Sequence, residues 1–324
     1  MLANASRKTR RRHSVGRRAF VTGGAGFIGS NLIRLLVSRN HEVVAFDNLS
    51  SGYRANLDGL AGVQFVEGDV RDGAAVRAAM DGADTVFHLA ASVGNKRSIE
   101  FPLEDAEVNV LGTLHVLEAA RRHGVRKLVF SSSAGIFGEL KTLPIREDHA
   151  VEPDSPYGAS KLAAEKQCLA YAKLYPMDCV CLRYFNVYGE NQRYDAYGNV
   201  IPIFVHHLLH GETLIVHGDG EQTRDFVAVE DVAEANYRAA CARGVSGAFN
   251  IASGSRISIN ALVDTLSQVS GNSPSVEYGP PRPGDVRDSL ADISLAREKL
   301  GYAPDVDLVD GLRRYWRWAR GAGV

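Results

Sequence analysis

A glycine-rich turn, Thr22–Ser30, constrains the fold more than any other stretch of this 324-residue chain. It follows an apolar run, Ala19–Val21, that is typical of a buried strand, and it precedes a segment with apolar side chains at helical spacing. Its glycines at positions 23, 26 and 29 stand where the strand turns into the helix. The first permits a tight turn, the second lets the backbone approach a pyrophosphate, and the third lets the helix pack closely.

An acidic residue follows this turn at the distance that dinucleotide binding requires. The second predicted strand, Glu42–Phe46, ends at Asp47, 18 residues after Gly29. A carboxylate there can accept hydrogen bonds from an adenosine ribose and would repel a 2′-phosphate. The order of turn, helix and acid therefore predicts an NAD site; the alternative is an ordinary strand–helix turn with a surface aspartate.

The overall composition argues against two classes of function. Lys plus Arg number 37 and Asp plus Glu number 38, so the net charge of −1 does not favour nucleic-acid binding. No apolar run approaches the length of a membrane span, so we expect no membrane partner. The four cysteines form no C-x-x-C pair, and no Cys/His cluster has ligand spacing. This usage predicts reduced structural thiols, no metal site and a cytoplasmic location.

Residues 1–18 differ from the rest of the chain because seven of them are Lys or Arg. The twin arginines at 17 and 18 resemble an export signal, but the apolar stretch after them is the glycine-rich turn, not a cleavable segment. We therefore expect residues 1–18 to form a disordered basic arm, either a tail or an over-extended start.

Beyond Asp47 the sequence alternates between predicted strands and helices, which indicates an α/β fold with a Rossmann-type, doubly wound parallel sheet and a smaller mixed α/β substrate-binding domain. The predicted strands are Val63–Glu67, one within Thr85–Ala91, Lys127–Phe130, Cys179–Arg183 and Phe249–Ala252; the predicted helices include Pro102–His123, one that opens at Tyr157, one ending at His210, and one from about Val229 to Arg243. The pattern changes after residue 184. We expect one domain over 19–184 with returning segments near 229–255, and a second over 185–228 and 256–324.

Two residues within these elements have an expected packing role. Gly112, inside the long helix Pro102–His123, indicates a close approach to another backbone. His88 lies in an apolar strand, and we interpret it as a packed histidine rather than a catalyst.

A tyrosine and a lysine four residues apart carry the predicted chemistry. Tyr157 and Lys161 project from one face of the helix that they open. A free tyrosine, with a pKa of about 10, is a poor base at neutral pH, but a nearby ammonium lowers that pKa. The pair could then accept a proton from a substrate hydroxyl while a hydride leaves for a nicotinamide. The serines at 131–133 would supply a further hydroxyl; the alternative is an exposed Tyr/Lys helical pair.

Three more polar side chains have two interpretations each. Asp69, just past a strand end, could bind the adenine amino group or cap the next helix. Arg224 and Arg282 suit a diphosphate, which arginine binds in bidentate fashion, but they could equally form ion pairs with Asp225 and Asp285.

Taken together, these residues resemble the extended short-chain dehydrogenase/reductase family, and within it the nucleotide-sugar 4-epimerases that act on UDP-glucose and UDP-N-acetylglucosamine. The resemblance covers residues 19 to about 320. Its signatures are Thr22–Ser30, Asp47, Gly68-Asp69, Ser131–Gly138, Tyr157–Lys161, Arg183–Gly189, Gln222–Phe226, Arg282–Asp285 and Ala291-Asp292.

The resemblance implies an NAD-dependent C4 epimerase of UDP-hexoses in which the substrate is oxidised transiently to a 4-keto sugar. Ser133 matches the catalytic hydroxyl, Tyr157 the base and Lys161 its modulator. The predicted cofactor-binding residues are Gly23, Gly26, Phe27, Ile28, Gly29, Asp47, Asn48, Asp69, Val70, Ala90, Tyr157 and Lys161. The predicted substrate-binding residues are Ser133, Asn186, Asn199, Leu214, His217, Arg224, Arg282, Asp285 and Ser289; Leu214–His217 matches a uracil-binding strand, and the His217 ring would stack on the base. A homodimer through helix Pro102–His123 and the helix of Tyr157 is implied as well.

The sequence departs from the family pattern at two positions near the predicted catalytic serine. Ala134-Gly135 follows Ser133, where dehydratases and decarboxylases of the family carry a glutamate, and this favours an epimerase. Phe137 replaces a tyrosine that orients the sugar in relatives. The alternatives are another UDP-sugar enzyme of the family, namely a uronate epimerase, a dehydratase or a keto-sugar reductase, and a non-catalytic NAD-sensing protein, which would typically have lost the tyrosine or the lysine.

Overall fold

The computed structural model describes residues 18–194, 198–281 and 286–322. In those ranges no helix combines the length and the apolar character that crossing a membrane requires. The strands in chain order are β1 Arg18–Thr22, β2 Glu42–Asp47, β3 Val63–Glu67, β4 Thr85–His88, β5 Lys127–Ser133, β6 Asp178–Tyr184, β7 Asn186–Tyr188, β8 Leu214–His217, β9 Thr223–Arg224, β10 Phe226–Ala228, β11 Gly247–Ile251, β12 Ile257–Ser258 and β13 Val276–Gly279.

Helices connect most of these strands. They are α1 Phe27–Ser38, α2 Gly73–Ala79, α3 Asn95–Glu100, α4 Pro102–Ala106, α5 Gly112–Arg122, α6 Pro156–Leu174, α7 Val200–His210, α8 Val229–Cys241, α9 Ile259–Ser270, α10 Ser294–Leu300 and α11 Leu308–Ala322. Short 3₁₀ turns lie at Arg54–Leu57 and Ala134–Ile136, and a π-helical turn at Glu107–Leu111 joins α4 to α5.

The central sheet has seven strands in the order β3-β2-β1-β4-β5-β6-β11, and all neighbouring strands are parallel. The strand order reverses between β1 and β4, which places a crevice at the carboxyl ends of these two strands. The predicted doubly wound parallel sheet is therefore confirmed. Three two-stranded sheets, β7 with β10, β9 with β12, and β8 with β13, lie outside it.

Hydrophobic residues form one cluster on each face of the central sheet and a third cluster away from it. Val21 of β1 belongs to the cluster with α1 and α8, whereas its neighbour Phe20 belongs to the cluster with α2, α5 and α6. This alternation follows from the two-residue period of a strand. The third cluster joins side chains of β8, β10, α7, α9 and α11.

The structure corrects three details of the sequence-based predictions. Strand β1 begins at Arg18, so the expected arm is one residue too long; residues 1–17 lie outside the described part of the chain. The helix predicted over Pro102–His123 is interrupted by the π turn. Gly112 approaches a side chain rather than another backbone, because a Cβ there would lie 2.8 Å from Cγ2 of Val70.

Candidate active site

A cleft of about 1310 Å³ opens where the strand order reverses. Its walls are built from the carboxyl ends of the central strands, the N-termini of α1 and α6, and segments that adjoin the third hydrophobic cluster, namely the start of α7, β8 and β9. All of the predicted cofactor-binding residues line it. Open parallel sheets bind ligands at this position because strand ends and helix N-termini converge there.

The glycine-rich turn shapes one wall of this cleft. Gly23 has φ of +66°, and a Cβ there would lie 2.7 Å from the backbone nitrogen of Ala90, so only glycine fits. A Cβ on Gly29 would overlap the carbonyl oxygen of Gly23. No side chain of the described residues caps the N-terminus of α1 at Gly26, and the helix start is open toward the cleft. Such a start binds the pyrophosphate of a dinucleotide, so these residues fit NAD.

Asp47 is buried at the end of β2 rather than lying on the surface. One carboxylate oxygen accepts a hydrogen bond from the N–H of Ala25 at 2.9 Å, and the other accepts one from the N–H of Leu49 at 2.8 Å. Burial raises the pKa of Asp47 despite these hydrogen bonds. The carboxylate thus ties β2 to the glycine-rich turn, and it retains lone pairs for ribose hydroxyls because each oxygen can accept two bonds.

Asp69 does not cap the next helix, so that alternative is wrong. Asp72 caps α2 instead, accepting hydrogen bonds from Ala74 and Ala75. The Asp69 carboxylate accepts hydrogen bonds from Arg71 and from the side-chain amide of Asn48 at 2.8 Å, and the Arg71 guanidinium lowers its pKa. Asp69 therefore remains ionised in the cleft wall.

The proposed catalytic residues meet where β5 ends and α6 begins. The Ser155 side chain caps α6 by accepting a hydrogen bond from the N–H of Gly158 at 3.1 Å, and Tyr157 lies in the first turn. The Ser133 hydroxyl hydrogen-bonds to Tyr157 and accepts one from the N–H of Gly135 at 3.1 Å. Lys161 lies one helical turn further on and is only 2% exposed. The alternative of an exposed Tyr/Lys pair is therefore wrong.

Burial controls the charges of this pair. Desolvation raises the pKa of Tyr157, and the hydrogen bond from Ser133 opposes that rise. Desolvation also lowers the pKa of Lys161 to about 8, and its ammonium lies 4.5 Å from the ring centre of Phe130. Burial has the largest effect on the pKa of Tyr157 in this structure, and the expected lowering by the Lys161 ammonium stays a prediction.

His88 is fully buried beneath the cleft, as the sequence predicts. Its Nδ1 lies 2.7 Å from the hydroxyl of Thr22, and its Nε2 lies 3.0 Å from that of Thr113. Burial lowers the pKa of His88 to about 3, so the ring is neutral and both of its nitrogens are occupied. His88 therefore packs β4 against β1 and α5 and takes no part in the cleft.

The structure brings most of the predicted substrate-binding residues to the cleft. Those lining it are Ser133, Asn186, Asn199, His217, Arg224 and Ser289. Leu214 does not line it: its side chain is fully buried in the third cluster, and Ile215 and Val216 line the cleft instead. Arg282 and Asp285 lie outside the described residues. The suggested partner of Arg224, Asp225, is buried and accepts hydrogen bonds from Ser253, Gly254 and Ala291.

The two departures from the family pattern differ in position. Gly135 lines the cleft, and a Cβ there would lie 3.3 Å from the Ser133 hydroxyl and 3.7 Å from the Tyr157 ring. Phe137 is buried, with the Arg183 guanidinium 5.1 Å from its ring centre. Within the part of the chain that the structure describes, Phe137 is not in the cleft wall. The replacement of tyrosine by Phe137 therefore removes a hydroxyl from the buried core behind the cleft, not from the cleft wall.

Sequence reasoning missed several residues of the cleft. Asn95 accepts a hydrogen bond from the Ser155 hydroxyl at 3.0 Å through its side-chain oxygen, and so connects α3 to the start of α6. The Arg193 guanidinium lies 4.2 Å from the ring centre of Tyr53, joining the loop after β7 to the loop after β2. Such contacts join segments that are far apart in sequence, and no local motif marks them.

Comparison with known proteins identifies the family to which the chain belongs. The NAD dependent epimerase/dehydratase family profile matches residues 19–252. A UDP-glucose 4-epimerase of Mycolicibacterium smegmatis is 40% identical over 302 residues, which cover 92% of this chain and 96% of that protein.

Two solved structures have the same architecture. The UDP-N-acetylglucosamine 4-epimerase of Methanobrevibacter ruminantium, in complex with UDP-N-acetylmuramic acid, superposes with a TM-score of 0.91 at 36% identity, over 94% of this chain and 99% of that chain. The UDP-glucose 4-epimerase of Thermus thermophilus, in complex with NAD, gives a TM-score of 0.85 at 38% identity over the same shares. The resemblance predicted from the sequence is confirmed, and the chain belongs to the NAD-dependent epimerase/dehydratase family.

Proposed function

We propose that this protein is an NAD-dependent 4-epimerase of UDP-hexoses. The observation that carries the proposal is the convergence of Ser133, Tyr157 and Lys161 on a cleft that also contains the open start of α1 and the buried carboxylate of Asp47. NAD, when bound, would supply the hydride acceptor for C4 of the sugar and the donor for its opposite face. The glycine-rich turn and Asp47 would hold its pyrophosphate and adenosine ribose.

The three catalytic side chains have distinct proposed roles. Tyr157 takes the proton from the O4 hydroxyl of the sugar and later returns it. Ser133, hydrogen-bonded to Tyr157, holds the same hydroxyl in line. Lys161 binds the nicotinamide ribose and, when charged, stabilises the phenolate. Lys161 is almost fully withdrawn from water, so its charge would act strongly on a phenolate at Tyr157.

The same cleft is proposed to bind the UDP group. Arg224 would supply a cation for the diphosphate, and the segment Ile215–His217, which lines the cleft, would contact the uracil ring. Asn186 and Asn199 would contact the nucleotide sugar, together with Arg282 and Asp285. Ser289 is small and nearly buried, so it leaves space beside the sugar for an N-acetyl group. The relative from M. ruminantium, named for UDP-N-acetylglucosamine, supports this wider substrate range.

We also propose that residues 185–228 and 256–324, which contain the third cluster, form the nucleotide-sugar-binding domain. A homodimer is proposed through α4–α5 and α6, because large apolar side chains on these helices and on the π turn between α4 and α5 are exposed: Leu103 by 79%, Leu111 by 51% and Leu174 by 71%. Sedimentation of the wild type and of Leu103→Glu tests this, and a monomeric wild type would contradict it. The four free cysteines support a cytoplasmic location.

The function is tested by incubating the purified protein with UDP-glucose, UDP-galactose, their N-acetylated counterparts and UDP-glucuronic acid, and by resolving the C4 epimers. We expect interconversion within the two hexose pairs. Conversion of UDP-glucuronic acid alone would assign the protein to the uronate epimerases instead, and a reduced or dehydrated product would identify a reductase or dehydratase. Bound NAD without any turnover would indicate an NAD-sensing protein.

A further inference from the structure

A buried ionic network lies directly behind the proposed catalytic residues. Glu165 is fully buried on α6, one helical turn after Lys161. Its carboxylate accepts a hydrogen bond from the Ser132 hydroxyl at 2.7 Å. It also accepts two from the Arg183 guanidinium, at 3.0 Å from Nε and 2.7 Å from Nη2. Arg183 itself is 4% exposed and donates through Nη1 to the carbonyl oxygen of Glu147 at 2.9 Å.

This network joins the elements that carry the chemistry. Ser132 lies on β5 immediately before Ser133, and Arg183 lies on β6, in register with Ser132. Glu165 shares α6 with Tyr157 and Lys161. The Ser132–Glu165 hydrogen bond therefore connects the strand that carries Ser133 to the helix that carries Tyr157. Successive residues of a strand point to opposite faces, so Ser132 can face the network while Ser133 faces the cleft.

We infer that the hydrogen bond between Ser132 and Glu165 is a positioning contact that fixes the Ser133 hydroxyl against the Tyr157 hydroxyl. This inference rests on the catalytic roles proposed above. The hydrophobic contacts between α6 and β5 are not directional, so they fix the position of the helix along the strand less sharply than a hydrogen bond does. A directional hydrogen bond to a carboxylate held by Arg183 at both of its oxygens fixes the position of the helix along the strand.

Stability alone does not account for the network. Replacing a buried ion pair by apolar side chains of similar volume is often neutral or stabilising, because the desolvation of both charges is costly. The network therefore has a feature that an apolar core would lack, namely a fixed distance between two particular hydroxyl groups. Displacement of reacting groups by about half an ångström would cost about tenfold in rate, given that 1 Å costs about a hundredfold.

The direct test is Ser132→Ala, measured for kcat, KM, bound NAD and melting temperature. This change removes one hydrogen bond and leaves Glu165 paired with Arg183, so no buried charge loses its counter-ion. We expect kcat to fall about tenfold, with the KM for UDP-glucose and the NAD content unchanged. Tyr302→Phe is the matched control, because it also removes one buried hydrogen bond. The Tyr302 hydroxyl donates to the carbonyl oxygen of Ala252 at 2.8 Å, and neither residue lines the cleft. It should keep the wild-type kcat.

A double-mutant cycle with Ser133→Ala separates an effect of Ser132 on the position of Ser133 from a general effect of Ser132 on the fold. If Ser132 acts through Ser133, then Ser132→Ala has no further effect on kcat once the Ser133 hydroxyl is gone. An unchanged kcat in Ser132→Ala, or an equal loss in both backgrounds, overturns the inference. Tyr157→Phe, assayed alongside, keeps the two proposals apart. If kcat falls in Tyr157→Phe and in Ser133→Ala but not in Ser132→Ala, only the inference about the Ser132–Glu165 contact is wrong. If Tyr157→Phe turns over normally, the catalytic assignment itself fails.

Discussion

Replacing Tyr157 by phenylalanine tests the proposed chemistry with the smallest structural change. The substitution removes one hydroxyl and keeps the ring, which forms part of the cleft wall beside Gly135. The hydrogen bond from Ser133 is lost. Ser133 is partly exposed and still accepts a hydrogen bond from Gly135. Water can therefore replace the missing partner, and we expect the free energy of unfolding to change by less than about 1 kcal/mol.

The effect on turnover should be far larger than the effect on stability. Loss of a general base typically costs about 100-fold to 10,000-fold in rate. This corresponds to about 2.7–5.4 kcal/mol of transition-state stabilisation, at 1.36 kcal/mol for each factor of ten. The assay follows UDP-glucose and UDP-galactose over time, with bound NAD and melting temperature measured on the same preparation. Near-wild-type turnover would refute the assignment, whereas loss of NAD or of the melting transition would show that the change had damaged the fold. Tyr302→Phe again provides the control for a lost tyrosine hydroxyl.

Three further predictions concern cofactor choice, substrate range and the N-terminal segment. The buried Asp47 carboxylate should make extracted cofactor predominantly NAD; mainly NADP would contradict the predicted repulsion of a 2′-phosphate. Ser289→Tyr should lower kcat/KM for the N-acetylated substrates by about 5- to 150-fold more than for the plain hexoses, which corresponds to an overpacking cost of about 1–3 kcal/mol. Equal losses in both pairs, or a wild type inert toward N-acetylated sugars, would exclude Ser289 as a size gate. Deletion of residues 2–17 should leave epimerisation intact, because β1 begins at Arg18; a folded but inactive truncation would contradict this.

The central sheet could be predicted because its signals are local. Each strand is a short apolar run, and helix-forming segments separate the strands, so the parallel connectivity follows from chain order. The predictions of local structure are wrong where the conformation or the packing of a segment depends on residues far away in the sequence. The π turn in the helix after Pro102 has no Gly or Pro signal at Glu107–Leu111. Likewise, nothing near Gly112 in the sequence indicates that the side chain of Val70 would come to lie against it.

The site could be predicted where a motif fixes both residue type and spacing. The glycine-rich turn, Asp47 and the Tyr157/Lys161 pair belong to this class, and the structure places all of them around one cleft. The prediction for Leu214 is wrong because this first residue of β8 is fully buried in the third cluster, and a four-residue apolar strand does not reveal which of its residues reach the cleft. The Ser132–Glu165–Arg183 network was missed because its members are 33 and 18 residues apart and have no shared motif.

The ionisation of Tyr157 is where residue spacing and burial act in opposite directions. Spacing alone places an ammonium near the phenol and therefore predicts a lowered pKa. Folding also buries both groups, and burial opposes ionisation of each: it raises the pKa of Tyr157 and lowers that of Lys161 to about 8. The net shift depends on depth in the protein, which the spacing of two residues does not contain.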